Sequence, residues 1–238
     1  MEKGSILLLD IGNSTMQLGS YSQGQLGNVR QIDTSPSQAV ALKAEMRAYS
    51  RVIISSVVPD IDKVFREIPH VCFVTHKNIP SLSVDVHYPQ EVGADRLVNA
   101  LGAYTHYQSG CVIIDSGTAL TCCYVDKKGV YKGGLIFPGM GISSKALNDY
   151  TAKIPIIHVS PRQGLIGKST HEAVQIGLYH GFLTLLKGWV QDYRQMDPDC
   201  KVVGTGKGLD MYKDQIGLDQ YLPDLILKGL IECSKGIK

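Results

Sequence analysis

Two stretches of the chain share one pattern of hydrophobic and polar positions, in which an apolar run reaches an aspartate and then a glycine with small polar residues. The first copy is LLLDIGNST at residues 7–15, and the second is VIIDSGTA at residues 112–119. An apolar run of this length predicts a buried strand, and the glycine permits a tight turn. A second strand-like run follows each copy, at residues 16–21 and 120–125.

The spacing after the two aspartates is also matched. A turn glycine stands 14 residues after each one, Gly24 after Asp10 and Gly129 after Asp115. The pattern therefore predicts a strand, a tight turn and a second strand, present twice in the chain.

The rest of the first half predicts helices mixed with strands. Ser35 and Pro36 open a helix, and Ala39, Leu42, Met46 and Tyr49 recur at helical spacing after them. Further strands are predicted near residues 29–32, 52–58 and 71–75, and further helices at 61–67 and 91–107, with a loop at 76–89.

The second half begins with the same strand pattern as the first and then continues with a different order of helices and strands. Strands are predicted at residues 111–115, 120–126, 130–137 and 201–204, and helices at 142–152, 170–193 and 223–233. Ser169 and Glu172 form a capping-box pattern at the start of the longest helix.

This order predicts an α/β protein of two lobes, residues 1–108 and 109–238. Each lobe carries a mixed sheet that opens in a three-stranded meander. Two such ribonuclease H-like lobes make up the ATPase fold of actin, hexokinase and Hsp70. The analogy is one of fold and supports only the handling of ATP.

The repeated turn has a chemistry of its own. Backbone N–H groups and hydroxyls at such a turn can cradle phosphate oxygens, and a carboxylate at the strand end can hold a cation that neutralises them. Ordinary turn chemistry explains one Asp-x-Gly copy just as well. Two copies at matched spacing favour a site that grips a nucleoside triphosphate from two sides.

Composition excludes several classes of protein. The chain has 238 residues with a net charge of +2, which does not favour nucleic acid or an anionic membrane as partner. It has no run of eighteen apolar residues, and the first strand follows the N-terminus almost directly. Its six cysteines include no C-x-x-C, which predicts buried, reduced thiols in a cytoplasmic protein.

A third candidate site is Gly93-Ala94-Asp95-Arg96, at the start of a predicted helix. The aspartate could merely complement the helix dipole, and the arginine could be a solvated surface residue. Alternatively, the carboxylate accepts a hydroxyl proton while the guanidinium binds an anionic group.

With these motifs together, the chain resembles the type III pantothenate kinases over essentially its whole length. The segments that carry the resemblance are DIGNS at 10–14, ISSVVP at 54–59, PQEVGADR at 89–96, DSGTA at 115–119, GGLIFPG at 133–139, STHEA at 169–173 and DLILKGL at 224–230. The GADR segment and the doubled phosphate turn are specific in combination, and the single pieces are not.

The resemblance implies ATP-dependent phosphorylation of pantothenate, the first step of coenzyme A synthesis, by a homodimer that uses Mg²⁺ with ATP and a monovalent cation, K⁺ or NH₄⁺. It implies Asp95 as general base, Asp10 as organiser of Mg²⁺, and Asp115 as holder of the monovalent cation. The implied ATP-binding residues are Asp10, Ile11, Gly12, Asn13, Ser14, Thr15, Met16, Gln17 and Thr118. The implied pantothenate-binding residues are Gly93, Ala94, Asp95, Arg96 and Thr170.

The sequence departs from the family pattern at two positions. Val86 stands where the family has a pocket tyrosine, and Tyr88, two residues later, is the candidate replacement. Lys207 stands where the family has a second glycine after the late strand, so that its side chain either crowds the adenosine or reaches a phosphate.

The helix at 170–193 bears on assembly. Its apolar coverage is wider than the stripe that a one-sided surface helix requires. The helix carries Val174, Leu178, Phe182, Leu185, Trp189 and Tyr193, with further apolar residues at Ile176, Leu183, Leu186 and Val190. Burial on several sides within one lobe explains this, and so does a dimer in which Thr170 reaches the neighbouring subunit's substrate, as the resemblance implies.

Two other functions stay open at the level of sequence. One is a regulatory protein, a transcription accessory factor, on the same scaffold. The other is a kinase for a different small hydroxy acid. Turnover of pantothenate separates all three.

Overall fold

The computed structural model describes residues 4–237, which divide by their contacts into two units. The first unit contains the described residues up to Gln108, the short segment Gly129–Lys132, and the described residues from Asp224 onward. The second contains Ser109–Lys128 and Gly133–Pro223.

The first unit is built on a five-stranded mixed sheet in the order β3-β2-β1-β4-β5. β1 pairs antiparallel with β2 and parallel with β4, so a meander is extended by parallel strands on its other side. The strands are β1 Ile6–Ile11, β2 Thr15–Ser22, β3 Gln25–Asp33, β4 Arg51–Ser56 and β5 Val71–Phe73, with β6 Ser83–Val84 outside this sheet. The helices are α1 Pro36–Met46, α2 Pro59–Asp62 and α3 Ala94–Tyr107.

Side chains of this sheet alternate between two buried faces. One face packs on α1 and α2 through a cluster that includes Leu9, Ile54 and Phe65. Because alternate residues of a strand point to opposite faces, Leu8 and Asp10 of β1 lie on the other face. That face is contacted by α3 and by the closing helix, α6 Leu225–Gly236.

The closing helix belongs to the first unit, although the expected division at residue 108 places it in the second lobe. α6 packs closely on α3, since a Cβ built at Gly102 would stand 3.0 Å from the backbone nitrogen of Gly229. Arg51 also donates a 3.0 Å hydrogen bond to the carbonyl of Ser234 and another to that of Ile237. These contacts correct the expected domain boundary.

The second unit carries the strands β7 Cys111–Ser116, β8 Ala119–Val125, β9 Val130–Pro138, β10 Lys201–Thr205 and β11 Gln220–Tyr221 in the order β11-β10-β7-β8-β9. β7 pairs antiparallel with β8 and parallel with β10. Its helices are α4 Met140–Asp149 and α5 Thr170–Met196. The first three residues of β9 belong to the first unit, where the first two of them pair with β6.

The core-facing side of α5 is one stripe of a helix that is apolar over much of its circumference. Its buried residues are Gln175, Tyr179, Phe182, Leu186 and Val190. Leu178, Leu185 and Trp189 are partly buried and pack against the same core cluster. The wide apolar coverage of the sequence thus corresponds to a buried stripe with partly buried residues beside it.

Several element ends also differ from prediction. The helix predicted at 61–67 is the single turn of α2, with turns after Asp62. The helix predicted from residue 91 begins at Ala94, after a 3₁₀ turn at Pro89–Glu91. The predicted turn glycines are confirmed, because Gly24 and Gly129 have φ of 80° and 76°.

Candidate active site

The first acidic turn follows β1 and is closely braced. Gly12 N donates to Thr15 O at 3.0 Å. Thr34, directly after β3, holds the turn through two hydrogen bonds. Its Oγ1 donates to Gly12 O at 2.6 Å, and its N donates to Ser14 O at 3.0 Å. Asn13 and Ser14 are exposed at the tip. The turn is thus preformed, with polar groups available at its outer edge.

Asp10 sits in a polar row that crosses three strands. It is in register with Gln17 of β2 and with Ser55 of β4, so the three side chains share the sheet face that α3 and α6 contact. Gln17 Nε2 donates to Asp224 Oδ1 at 3.2 Å, just before α6 begins. The row places one carboxylate between an amide and a hydroxyl.

Two of the expected nucleotide-binding residues turn their side chains into the core. The side chains of Ile11 and Met16 are fully buried in the core cluster with α1 and α2. Their side chains therefore cannot contact ATP, and only their backbone groups belong to the turn region. The run 10–17 is a strand, a turn and a strand, so its alternating positions necessarily face the core.

The Gly-Ala-Asp-Arg segment forms the start of α3, with Gly93 as N-cap. Asp95 Oδ1 accepts a 2.8 Å hydrogen bond from Arg96 N and folds back over Gly93, where a Cβ would stand only 2.5 Å from it. A Cβ at Gly93 would also lie 3.3 Å from Val57 Cγ1. Because Val57 N donates to Ile11 O at 3.1 Å, this segment is tied to the strand end that carries the first turn.

The electrostatic environment of Asp95 favours its protonated form. Burial is the main cause and raises the pKa of its carboxyl above the ordinary 3.8, while the Arg96 hydrogen bond and charge lower it in part. A carboxylate with a raised pKa is a stronger base than a solvated one, which suits proton abstraction from a hydroxyl.

The Arg96 side chain lies against an aromatic ring. Its guanidinium carbon lies 5.9 Å from the ring centroid of Tyr131, which is completely buried. The aromatic face restrains the guanidinium. Tyr88, the candidate replacement for the missing pocket tyrosine, is 60% exposed, just before the 3₁₀ turn that precedes α3.

The second acidic turn repeats the first with one residue fewer. Gly117 N donates to Ala119 O at 3.0 Å. Asp115 is in register with Thr121 of β8 and Thr205 of β10, so a carboxylate again stands between two polar residues on one sheet face. Gly206 has a φ of 83°, and a Cβ there would stand 2.5 Å from Asp115 Oδ1. Lys207 directly follows this glycine and is exposed.

Thr118 and Thr170 are both exposed within the second unit. Thr170 is the first residue of α5, with Ser169 as N-cap accepting from Glu172 N at 3.2 Å. Glu172 in turn accepts from Lys168 N at 2.9 Å, so the predicted capping pattern is confirmed, with the return bond one residue before the cap. The free N–H groups of this helix end can receive an anionic group.

Part of the apolar surface of the second unit is uncovered. Leu135, Ile136, Phe137 and Ile142 are 40–65% exposed. A cavity of about 340 Å³ lies beside α5 and is lined by Phe137, Ser143, Gly177, Leu178, Gly181, Phe182 and Leu185. Adjacent exposed apolar residues of this kind mark interaction surfaces.

The first unit thus joins the Asp10 turn to the Gly93–Arg96 segment, and the second contains Asp115, Thr118 and Thr170. Within residues 4–237, no group of three or more His, Cys, Asp or Glu side chains could hold a metal, and no helix has the length and apolar character needed to cross a membrane. Sequence reasoning missed Asn99, buried one helical turn after Asp95, and Tyr131. Hydrophobic periodicity gives no signal for either.

Comparison with known proteins agrees with these motifs. The family model of type III pantothenate kinases matches residues 6–192. The type III pantothenate kinase of Brevibacillus brevis is 34% identical, and the alignment covers 94% of this chain and 96% of that protein. The Listeria monocytogenes enzyme of the same name is 32% identical, with 94% and 95% covered.

Solved structures support the same fold. A Campylobacter jejuni protein assigned by name to the Baf family of transcriptional activators matches with a TM-score of 0.68 and 20% identity, over 96% of this chain and 97% of that one. A Sinorhizobium meliloti protein named as a 2-dehydro-3-deoxygalactonokinase matches with a TM-score of 0.62 and 12% identity, over 97% and 96%. The expected architecture of sugar kinase and ATPase folds is therefore confirmed.

Proposed function

The chain belongs to the type III pantothenate kinase family and is an enzyme of coenzyme A biosynthesis that phosphorylates pantothenate with ATP, and we propose that Asp95 is its general base. The observation that carries the proposal is the folded-back Asp95 carboxylate, which is partly buried, has a raised pKa and stands beside Arg96. Asp95 takes the proton of the primary hydroxyl as the γ-phosphoryl group is transferred to that oxygen. Arg96 and the GADR backbone orient the pantothenate.

The two acidic turns serve the triphosphate. In reactions of this class, positioning and charge stabilisation supply most of the rate. We propose that the backbone of residues 10–17 and the side chains of Asn13 and Ser14 bind phosphate oxygens, with Thr118 on the nucleotide from the second turn. The braced first turn supports this, because a preformed loop needs no reordering when phosphate binds.

We propose Mg²⁺ at Asp10 and K⁺ or NH₄⁺ at Asp115. Each turn offers one carboxylate with hydroxyl neighbours in register, an oxygen donor set that suits a hard cation shared with phosphate oxygens rather than a protein-only cage. When bound, such cations neutralise phosphate charge. Full activity with Mg²⁺-ATP in a buffer that contains only Na⁺ or Tris would contradict the monovalent site.

Asp95→Asn tests the base directly. The substitution keeps the shape of the side chain and removes its basicity, so kcat should fall by about 10²–10⁴-fold. ATP binding, measured by calorimetry, should stay close to wild type. If the variant retains more than about a tenth of the wild-type kcat, Asp95 is not the base. A coupled ADP-release assay with and without pantothenate supplies the rates.

We also propose a homodimer whose sites are shared between subunits. The uncovered apolar residues 135–137 and the cavity beside α5 support a second copy of the chain as occupant. In this arrangement Thr170 reaches the substrate of the neighbouring subunit. Mixing inactive Asp95→Asn chains with inactive Thr170→Ala chains under exchange should then restore activity, because one site of each heterodimer is free of both changes. If mass measurement confirms that the chains have exchanged and activity still does not return, the shared site is contradicted.

A cytoplasmic location is proposed with the function. All six cysteines are free thiols, and five of them are buried. Disulfides are rare in the reducing cytoplasm, so thiols of this kind suit it. The regulatory alternative is less favoured, since the intact Asp10, Asp95 and Asp115 argue against an inactive enzyme.

A further inference from the structure

The hydroxyl of Ser55 is buried beside the first acidic turn. Ser55 is 0% exposed, and its Oγ has no hydrogen-bond partner among residues 4–237. Buried hydroxyls are nearly always paired with protein groups or ordered water. A fully buried hydroxyl without such a partner therefore calls for a physical reason at this position.

The strand register shows which group Ser55 faces. In the parallel pair of β1 and β4, Ser55 lies directly opposite Asp10, with both side chains on the same sheet face. On the other side of Asp10, Gln17 is already bonded to Asp224. The hydroxyl of Ser55 is thus the donor next to this carboxylate on the β4 side.

The second unit repeats this arrangement. Asp115 lies opposite Thr205 in the parallel pair of β7 and β10, and Thr205 is also buried, at 4% exposure. Each acidic turn therefore has a hydroxyl residue at the same register position on the neighbouring parallel strand. The two strand segments, ISS at 54–56 and GTG at 204–206, otherwise share little.

We propose that Ser55 is a positioning residue for Asp10, which holds the carboxylate in its cation-binding orientation through one buried water that bridges the two side chains. The inference rests on the proposed role of Asp10 with Mg²⁺. Neighbouring parallel strands lie about 4.8 Å apart, a separation that a serine hydroxyl, a carboxylate and one water can span. Ser55 contacts neither phosphate nor pantothenate in this proposal.

Ser55→Ala, Ser55→Cys and Ser55→Thr provide the test. Alanine removes the hydroxyl, cysteine keeps the size with a weak donor, and threonine restores the hydroxyl as at position 205. Ser50→Ala is the matched control, because Ser50 Oγ donates to Ser5 O just before β4, at the opposite end of the same strand pair. The measurements are the Mg²⁺ dependence of ATP binding by calorimetry, the Mg²⁺ dependence of turnover, and Tm without ligand.

We expect Ser55→Ala to raise the half-saturating Mg²⁺ concentration about tenfold or more, within the range found when a group that orients a metal ligand is removed. Its ligand-free Tm should stay close to wild type, because the Ser55 hydroxyl makes no direct hydrogen bond to the described residues. Ser55→Cys should behave like alanine, and Ser55→Thr and Ser50→Ala like wild type.

Unchanged Mg²⁺ dependence in Ser55→Ala overturns the proposal, whatever happens to its Tm. If the alanine variant does not fold, Ser55→Cys decides by the Mg²⁺ dependence of ATP binding and of turnover. The proposed function is judged separately, by whether the wild-type chain turns over pantothenate and whether Asp10→Asn abolishes Mg²⁺-dependent ATP binding. Wild-type turnover together with an unaffected Ser55→Ala rejects only the role of Ser55.

Discussion

Gly93→Ala should displace the Asp95 carboxylate, the proposed general base, without unfolding the protein. The φ and ψ of Gly93 are −56° and 137°, which alanine adopts freely, so the substitution adds no backbone strain. The new Cβ would stand 2.5 Å from Asp95 Oδ1, whereas ordinary contacts begin at 3.4 Å. The carboxylate oxygen must therefore recede by about 0.9 Å, the difference of these two distances.

The size of the effect follows from that displacement. A misplacement of about 1 Å in a catalytic group can cost roughly 10²-fold in rate. Replacing glycine at a compatible φ stabilises a protein by about 0.4–1 kcal/mol, and the tight contacts offset this gain, so Tm should stay within about 4 °C of wild type. We expect kcat to fall about a hundredfold while Kd for ATP changes little.

Gly27→Ala is the matched control, since its Cβ would lie 3.7 Å from Ser20 Oγ, an ordinary contact in the same unit. Initial rates in the ADP-release assay, with Tm by calorimetry, give both quantities. A Gly93→Ala enzyme with kcat within threefold of wild type would refute the reasoning, because the folded-back carboxylate would then not be the active one. A Tm loss above about 10 °C would refute it as well, because the damage would then be global.

Three further predictions concern the second turn, the general base and a helix contact. Gly206→Ala should lower Tm by roughly 5–15 °C and weaken ATP binding. The reason is that φ is 83° at this glycine and the new Cβ would lie 2.5 Å from Asp115 Oδ1. Wild-type ATP affinity in a folded variant would contradict this. The raised pKa of Asp95 places the acid limb of kcat/KM at a higher pH than a solvated aspartate would. The same raised pKa means that the folded state loses stability as the pH rises from the ordinary value through the folded one, so Asp95→Asn should match or exceed the wild-type Tm at pH 7. Gly229→Ala should lower Tm by several degrees or more, because its Cβ would lie 2.1 Å from Val98 O, whereas Gly188→Ala, with nothing within 4 Å, should not.

The sequence singles out candidate site residues more readily than it predicts the packing around them. Asp10 and Asp115 are candidates because a strand, a tight turn and a second strand leave a readable alternation and a glycine at each turn. Asp95 became a favoured candidate only through the resemblance to a family, since one carboxylate in the first turn of a helix is equally well explained by its favourable interaction with the helix dipole. Tertiary contacts decided the remaining features: the packing of α6 on α3 depends on Gly102, which no local pattern distinguishes from any other helical glycine.

The stripe on α5 shows another limit of sequence patterns. When apolar residues cover most of a helix, periodicity no longer indicates which face enters the core, and Tyr179 and Gln175 are buried while Leu185 is not. The expected run of binding residues 10–17 shows the same limit for side chains, because Ile11 and Met16 alternate into the core and only their backbone groups can face a ligand.

The membership of α6 in the first unit has a consequence for synthesis on the ribosome. Strands β1 to β5 emerge early, but one face of β1 and β4 is contacted by a helix that begins only at Leu225. Until that helix emerges, Leu8 and Ile53 have no α6 to cover them, and the nascent chain displays an apolar sheet face to chaperones. Most of the second unit, from Ser109 to Pro223, is already translated by then. The unit whose strands are synthesised first is therefore the last to complete its packing.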